Sequence, residues 1–130
     1  DVVSKLQSDS APVSASPLEL RSVRFVGKGN GLELHSGELA KVVVEVYNNT
    51  PEYMYNVRPM VMETSGNKHV FVSAPIIVEK IAPGKGIRYT AMVKADKKLK
   101  DGKVHFTVCA QESAQLRKSE IREFDVTTIR

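Results

Sequence analysis

Cys109 and His105 are the pair in this sequence best suited to nucleophilic chemistry, a thiol and a ring nitrogen able to deprotonate it. Both fall on one face of the same alternating segment. Four residues at ~3.4 Å each set them about 13 Å apart, where an activated pair needs contact at roughly 3 Å. That dyad fails along its own strand, which leaves His35 and His69 as the rings a fold could bring to the thiol. No serine or cysteine sits in a nucleophile-elbow context of the GxSxG type.

The other constellations are weaker. His35, His69 and His105 lack HxH or HxxxH spacing, so a zinc site would need them to converge from separate strands or loops. Glu33, Glu38, Glu45, Glu52 and Glu63 are the carboxylates for acid–base work, and most lie in or beside turns, where surface charge explains them. Gly27, Gly29 and Gly31 imitate a phosphate cradle, but no helical pattern follows to present its N-terminus. Lys94, Lys97, Lys98, Lys100 and Lys103 form the densest basic stretch. No aromatic residues are interleaved for base stacking, so it reads as solvated surface and no nucleic-acid partner is expected. No catalytic residue, metal site or cofactor is therefore expected.

Tyr47, Tyr53 and Tyr55 flank the polar loop Asn48-Asn49-Thr50-Pro51-Glu52. Tyr53 and Tyr55 share a face if their segment is a strand, and Tyr47 joins them if the two flanking strands pair as a hairpin. Such a group is either cross-strand packing or a platform for a sugar or a peptide. Tyr47, Asn48, Asn49, Tyr53 and Tyr55 are accordingly the candidate ligand-binding residues.

Positioning any of these groups is the work of strands. The sequence has 130 residues, 42% hydrophobic and 26% charged, which suits one globular core rather than a disordered chain. Net charge is +4, from 19 basic against 15 acidic residues spread along most of the chain. A single cysteine excludes an intrachain disulfide framework. No apolar run approaches the ~20 residues of a membrane helix, and no membrane insertion is expected. Residues 1–17, with Ser10-Ala11-Pro12-Val13-Ser14-Ala15-Ser16-Pro17, read as a linker or disordered N-terminal segment without the features of a signal peptide.

From residue 18 to 130 the pattern becomes short alternating segments closed by turn residues. Ile87, Tyr89, Ala91, Val93 and Ala95 alternate with polar or exposed positions, as do Val104, Phe106, Val108 and Ala110, and Ala40, Val42, Val44 and Val46. Weaker candidates are Leu18 to Val26, Tyr53 to Glu63, His69 to Ser73, Ile76 to Ile81 and Glu120 to Thr128. Lys97 to Lys100 could make one helical turn, and Pro59 argues for an edge or a bulge in its strand. The fold class is all-β, two packed antiparallel sheets of about seven to eight strands.

Three segments carry a resemblance. Ser36-Gly37-Glu38-Leu39-Ala40-Lys41-Val42-Val43-Val44-Glu45-Val46-Tyr47-Asn48-Asn49 is similar to the Gly-Glu turn, alternating strand and terminal Asn of bacterial immunoglobulin-like domains of the cell-adhesion-related (CARDB-like) type. Ile81-Ala82-Pro83-Gly84-Lys85 resembles that group's apolar-x-Pro-Gly turn, and Leu99 to Val108 its last hairpin. The resemblance implies an immunoglobulin-like β-sandwich in an extracytoplasmic protein: periplasmic, secreted or at the cell surface. It also implies a non-catalytic role as spacer, adhesion unit or protein-binding module, with another protein or a neighbouring domain as partner. The alternative is a carbohydrate-binding module using Tyr47, Tyr53 and Tyr55, with a glycan as partner. Relatives often carry an acidic, cation-binding loop before the Gly-Glu turn. Here only Asn30 and Glu33 offer side-chain oxygens ahead of Glu38, too few for a cation wanting roughly six to eight.

Overall fold

The alternating segments become strands with the expected faces. The computed structural model describes residues 17–29, 31–113 and 117–130, so the expected linker lies outside the described residues except for Pro17. The strands are β1 (Leu18–Val26), β2 (Glu33–His35), β3 (Leu39–Asn48), β4 (Met54–Glu63), β5 (Val70–Val72), β6 (Val78–Ile81), β7 (Gly86–Ala95), β8 (Gly102–Glu112) and β9 (Arg122–Ile129). One sheet has the order β1-β3-β7-β5 and the other β2-β9-β8-β4-β6. Neighbours run antiparallel except β2 and β9, which are parallel over Glu33–His35 and Thr127–Ile129. The two sheets form an immunoglobulin-like sandwich, all-β as expected.

Each inner face is built from the predicted positions. Val42, Val44 and Val46 of β3 and Ala91 and Val93 of β7 are fully buried, facing Val57 of β4, Val104, Phe106 and Val108 of β8, and Val126 of β9. The aromatic centre is a row in which Phe106 lies 6.4 Å from Phe25 and 5.4 Å from Phe124, measured between ring centroids. Burying a phenylalanine completely contributes about 2–3 kcal/mol through apolar area alone.

Four expectations change. Flanking strands β3 and β4 do not pair as a hairpin but belong to different sheets, and the intervening loop crosses one end of the sandwich. Leu99 to Val108 is likewise no hairpin: β7 and β8 lie in different sheets, and the final hairpin joins β8 to β9. β2 forms inside the stretch that reads as a glycine loop, because its pairing with β9 is wholly long-range. Residues 97–100 make no helix; the Lys98 N–H is instead held by the Asp96 carboxylate at 2.8 Å, and Leu99 is buried.

Pro59 shows how one strand is both interior and edge. β4 lies between β6 and β8, yet β6 pairs only as far as Val57. Pro59 faces Ala110, whose N–H and C=O are engaged by Ser119 on the side away from β4. The two residues are therefore a non-hydrogen-bonded pair, and the position of the missing Pro59 donor faces the flank that β6 has already left.

Candidate functional site

The loop after β3 is closed from within. Asn48 is fully buried; its Nδ2 donates to the carbonyls of Glu52 at 2.7 Å and Ile81 at 3.0 Å, while its Oδ1 accepts the Thr50 N–H at 2.9 Å and the Thr50 hydroxyl at 2.7 Å. One side chain thus satisfies four groups and fixes the crossing between sheets, which leaves it nothing to offer a ligand. Asn49 is exposed and donates to Glu19 at 2.9 Å. Burial pushes the Glu19 carboxyl up, but the hydrogen bonds from Asn49 and Arg21 outweigh it and hold the group below its ordinary value.

The three tyrosines do not converge. Tyr47 points from the outer face of the first sheet, directly opposite Gly86 of β7. A Cβ placed on Gly86 would stand 2.8 Å from three atoms of the ring, so the ring lies flat over that glycine. The Arg21 guanidinium covers it too, 3.9 Å from its centroid. Tyr53 and Tyr55 belong to the other sheet's side of the loop, Tyr53 just ahead of β4 and Tyr55 within it. Their rings stack at 6.2 Å and 21°, both about half exposed, with Lys80 Nζ 5.7 Å from the Tyr53 centroid. Asn56, left-handed at φ 56°, follows Tyr55 and resets the strand's alternation, so that Met54 and Val57 both point inward.

Histidines and carboxylates are spent in pairs. His35 Nδ1 lies 3.2 Å from Glu38, His69 Nδ1 3.0 Å from Asp96, and His105 has Asp125 at 2.7 Å on Nδ1 and Glu123 at 2.9 Å on Nε2. Asp125 first, and Glu123 after it, raise the His105 ring above its ordinary value. His69 above all holds the Asp96 carboxyl down, helped by the Lys98 N–H. Among the described residues no group of three or more His, Cys, Asp or Glu side chains has metal-holding geometry.

Glu38, buried at 8% exposure, explains the Gly-Glu turn. Its carboxylate accepts the backbone N–H of Lys28 at 2.5 Å and of His35 at 2.8 Å, tying the strand end after β1 to β2. Burial raises this carboxyl, but the two amides and the His35 ring together outweigh it and keep the group ionised below its ordinary value. Gly27 leaves room beneath it: a Cβ there would meet the carboxylate at 2.9 Å and the Glu33 carbonyl at 3.1 Å, so the carboxylate would have to shift.

Cys109 lies on the outer face of β8 opposite Met60, and burial pushes its thiol up, only partly offset by Lys118. A thiol held protonated is a poor nucleophile. Four residues earlier on β8, His105 is engaged by its two carboxylates.

One polar pair was invisible in the spacing. The inward alternation of β8 runs on through Ala110 to Glu112, a carboxylate at 1% exposure. Arg117 forks onto it at 3.1 and 2.9 Å and reaches Glu52 at 3.4 Å. Glu112 raises the Arg117 guanidinium in turn. The signal was present as a charge in register with four apolar inward residues; its partner, five residues on, required the fold.

No family model matches the chain, and no curated protein matches it. Solved structures do. Trypsin-activated alpha-2-macroglobulin from Escherichia coli contains a similar domain: TM-score 0.60 at 13% identity, covering 92% of this chain and 8% of that one. The C-terminal domain of wzt superposes at TM-score 0.64 and 7% identity, over 88% of this chain and 75% of the other. A FixG-related protein from Vibrio parahaemolyticus does so at 0.56 and 12%, over 88% and 98%. At such identities the likeness is one of fold, an immunoglobulin-like sandwich used in several bacterial proteins and compatible with a non-catalytic module.

Proposed function

We propose that this domain is a non-catalytic recognition module of the cell-adhesion-related bacterial type, working outside the cytoplasm and holding another protein or a neighbouring domain. The observation that carries the reading is how the reactive groups are used. Each histidine is set against a carboxylate, the thiol is pushed up by burial, and the Gly-Glu carboxylate is consumed by backbone amides. What remains for function is surface: strand edges and exposed apolar side chains, which suit a macromolecular partner. A photo-crosslinking residue placed in turn at Arg24, Phe71, Tyr53 and Ile121, in the cells that produce the protein, tests this. Protein adducts at one cluster of positions are expected; a complete absence of adducts would remove the reading.

The second reading is a glycan site on the stacked Tyr53–Tyr55 pair, favoured by its exposure and by the neighbouring Lys80. Tyr47 takes no part in it, being packed onto Gly86 in the other sheet. A glycan array that gives the same signals for the parent protein and for Tyr53→Ala would dispose of it.

A further inference from the structure

We propose that the outer edge of β1, at Val23 and Phe25, is a strand-docking site for an extended partner segment in which an acidic residue sits between two apolar ones. The inference rests on the recognition-module reading and names the surface and the chemistry of its partner.

The backbone directions follow from the hydrogen bonds. Asn48 turns its N–H to Lys85 and its C=O to Gly84, both on the β7 side, so the odd-numbered residues of β3 turn theirs toward β1. Register places Tyr47, Glu45, Val43 and Lys41 opposite Glu19, Ser22, Arg24 and Val26. Leu20, Val23 and Phe25 therefore direct their backbone groups outward, away from the sheet. Leu20 confirms the geometry: its N–H donates to the Glu120 carboxylate at 3.0 Å, and its C=O accepts the Arg122 guanidinium at 2.6 Å. One edge position is thus blocked by side chains. Val23 and Phe25 have no such partner among the described residues.

Beside this edge runs a groove between β1 and β9, lined by Val23, Phe25, Leu32 and Phe124 with Arg122 and Glu123 at its side. β2 covers β9 only from Thr127 onward, so the groove stays open along Arg122 to Val126. A strand added to β1 would turn alternate side chains into this apolar floor and the intervening one outward, beside Arg24. Arg24 is exposed and forms no ion pair among the described residues, whereas Arg21, Arg88, Arg117 and Arg122 all do.

Arg24 also selects the occupant. A second copy pairing antiparallel here, with Val23 against Phe25 in both directions, would set Arg24 directly against its own copy. Like charges at opposed positions destabilise a strand pair. A partner carrying glutamate or aspartate at that position turns the same contact favourable.

The probe is an eight-residue peptide alternating valine and glutamate, with versions carrying lysine for glutamate or N-methylated on the pairing amides, titrated into the chain Asp1–Arg130. Amide hydrogen exchange at Val23 and Phe25 should slow about tenfold with the glutamate peptide. The lysine peptide should bind about tenfold more weakly, a preference that Arg24→Glu reverses. N-methylation should abolish protection, as should Val23→Pro, which removes only an outward donor from an edge strand. The proposal is overturned by any of four results: amides already protected in the free chain, protection mapping to another edge, indifference to Arg24→Glu, or concentration-dependent dimers through β1. Protein cross-links elsewhere with no protection at β1 would sink this site while leaving the recognition module standing.

Discussion

Replacing Gly86 by alanine should destabilise the protein, and removing the Tyr47 ring should rescue it. The added methyl would lie 2.8 Å from three ring atoms of Tyr47, against the roughly 3.5–4.0 Å at which carbon atoms rest. The ring must shift by at least about 0.7 Å, and it is held by Arg21 on the same surface. Overpacking of this kind costs about 1–3 kcal/mol, which outweighs the several tenths that alanine gains over glycine through the unfolded chain. Tyr47→Ala alone loses the ring's contact with the strand and the guanidinium, together about 1–2 kcal/mol. Because the clash requires the ring, the double variant should be no less stable than Tyr47→Ala. Urea unfolding of all four proteins gives the coupling, expected to equal the clash at about 1–3 kcal/mol. Additive losses, or a Gly86→Ala protein as stable as the parent, would refute the claim that Tyr47 is a packing residue rather than a binding platform.

Three further outcomes follow from the same geometry. Glu38→Gln should cost about 1–2 kcal/mol, since a neutral amide oxygen replaces a buried carboxylate that receives two backbone N–H groups. The Glu38 carboxyl is lowered in the folded state, so its contribution is present above the ordinary value of 4.5 and fades as pH falls through the lower folded value. Acid unfolding followed by circular dichroism, parent against variant, checks both points. His105 is raised, so its contribution is complete below 6.5 and is lost as pH climbs through the folded value. NMR titration should place its midpoint above 6.5 and return it toward that value in Asp125→Asn. Phe106→Ala, at the centre of the aromatic row, should cost about 3–5 kcal/mol in the same urea assay.

Much of the sandwich was legible because burial on one face writes a period of two into the sequence. β3, β7 and β8 have the faces their alternation gives them, down to the inward Tyr89 and Phe106. Sheet membership was not legible. Alternation tells which side of a strand is wet but not which sheet it joins, and crossings between sheets replace both the β3–β4 hairpin on which the tyrosine cluster depends and the last hairpin that the resemblance implies at Leu99 to Val108. β2 escaped because its three residues sit among glycines and find their partner only near the C-terminal end of the chain. The same limit applied to the candidate site. Asn48 reads as a loop residue open to ligand until its four hydrogen bonds turn it inward, and Tyr47 joins Tyr53 and Tyr55 only if a hairpin exists. The separation of Cys109 and His105 was readable from strand rise, because both lie in β8 four residues apart at ~3.4 Å each. The carboxylates that engage His105 come from β9, which no local spacing could supply.

We propose that this domain acts by recognition and that its reactive side chains serve the fold. The most direct measurement is the yield of partner adduct in cells from the cross-linker position that works best, compared between the parent and a variant combining Cys109→Ala with His105→Gln. Folding of the variant is checked by its unfolding transition. Equal adduct yield and equal cellular function in the two proteins is the predicted result. Loss of function in a folded variant whose adduct yield is unchanged would contradict the account.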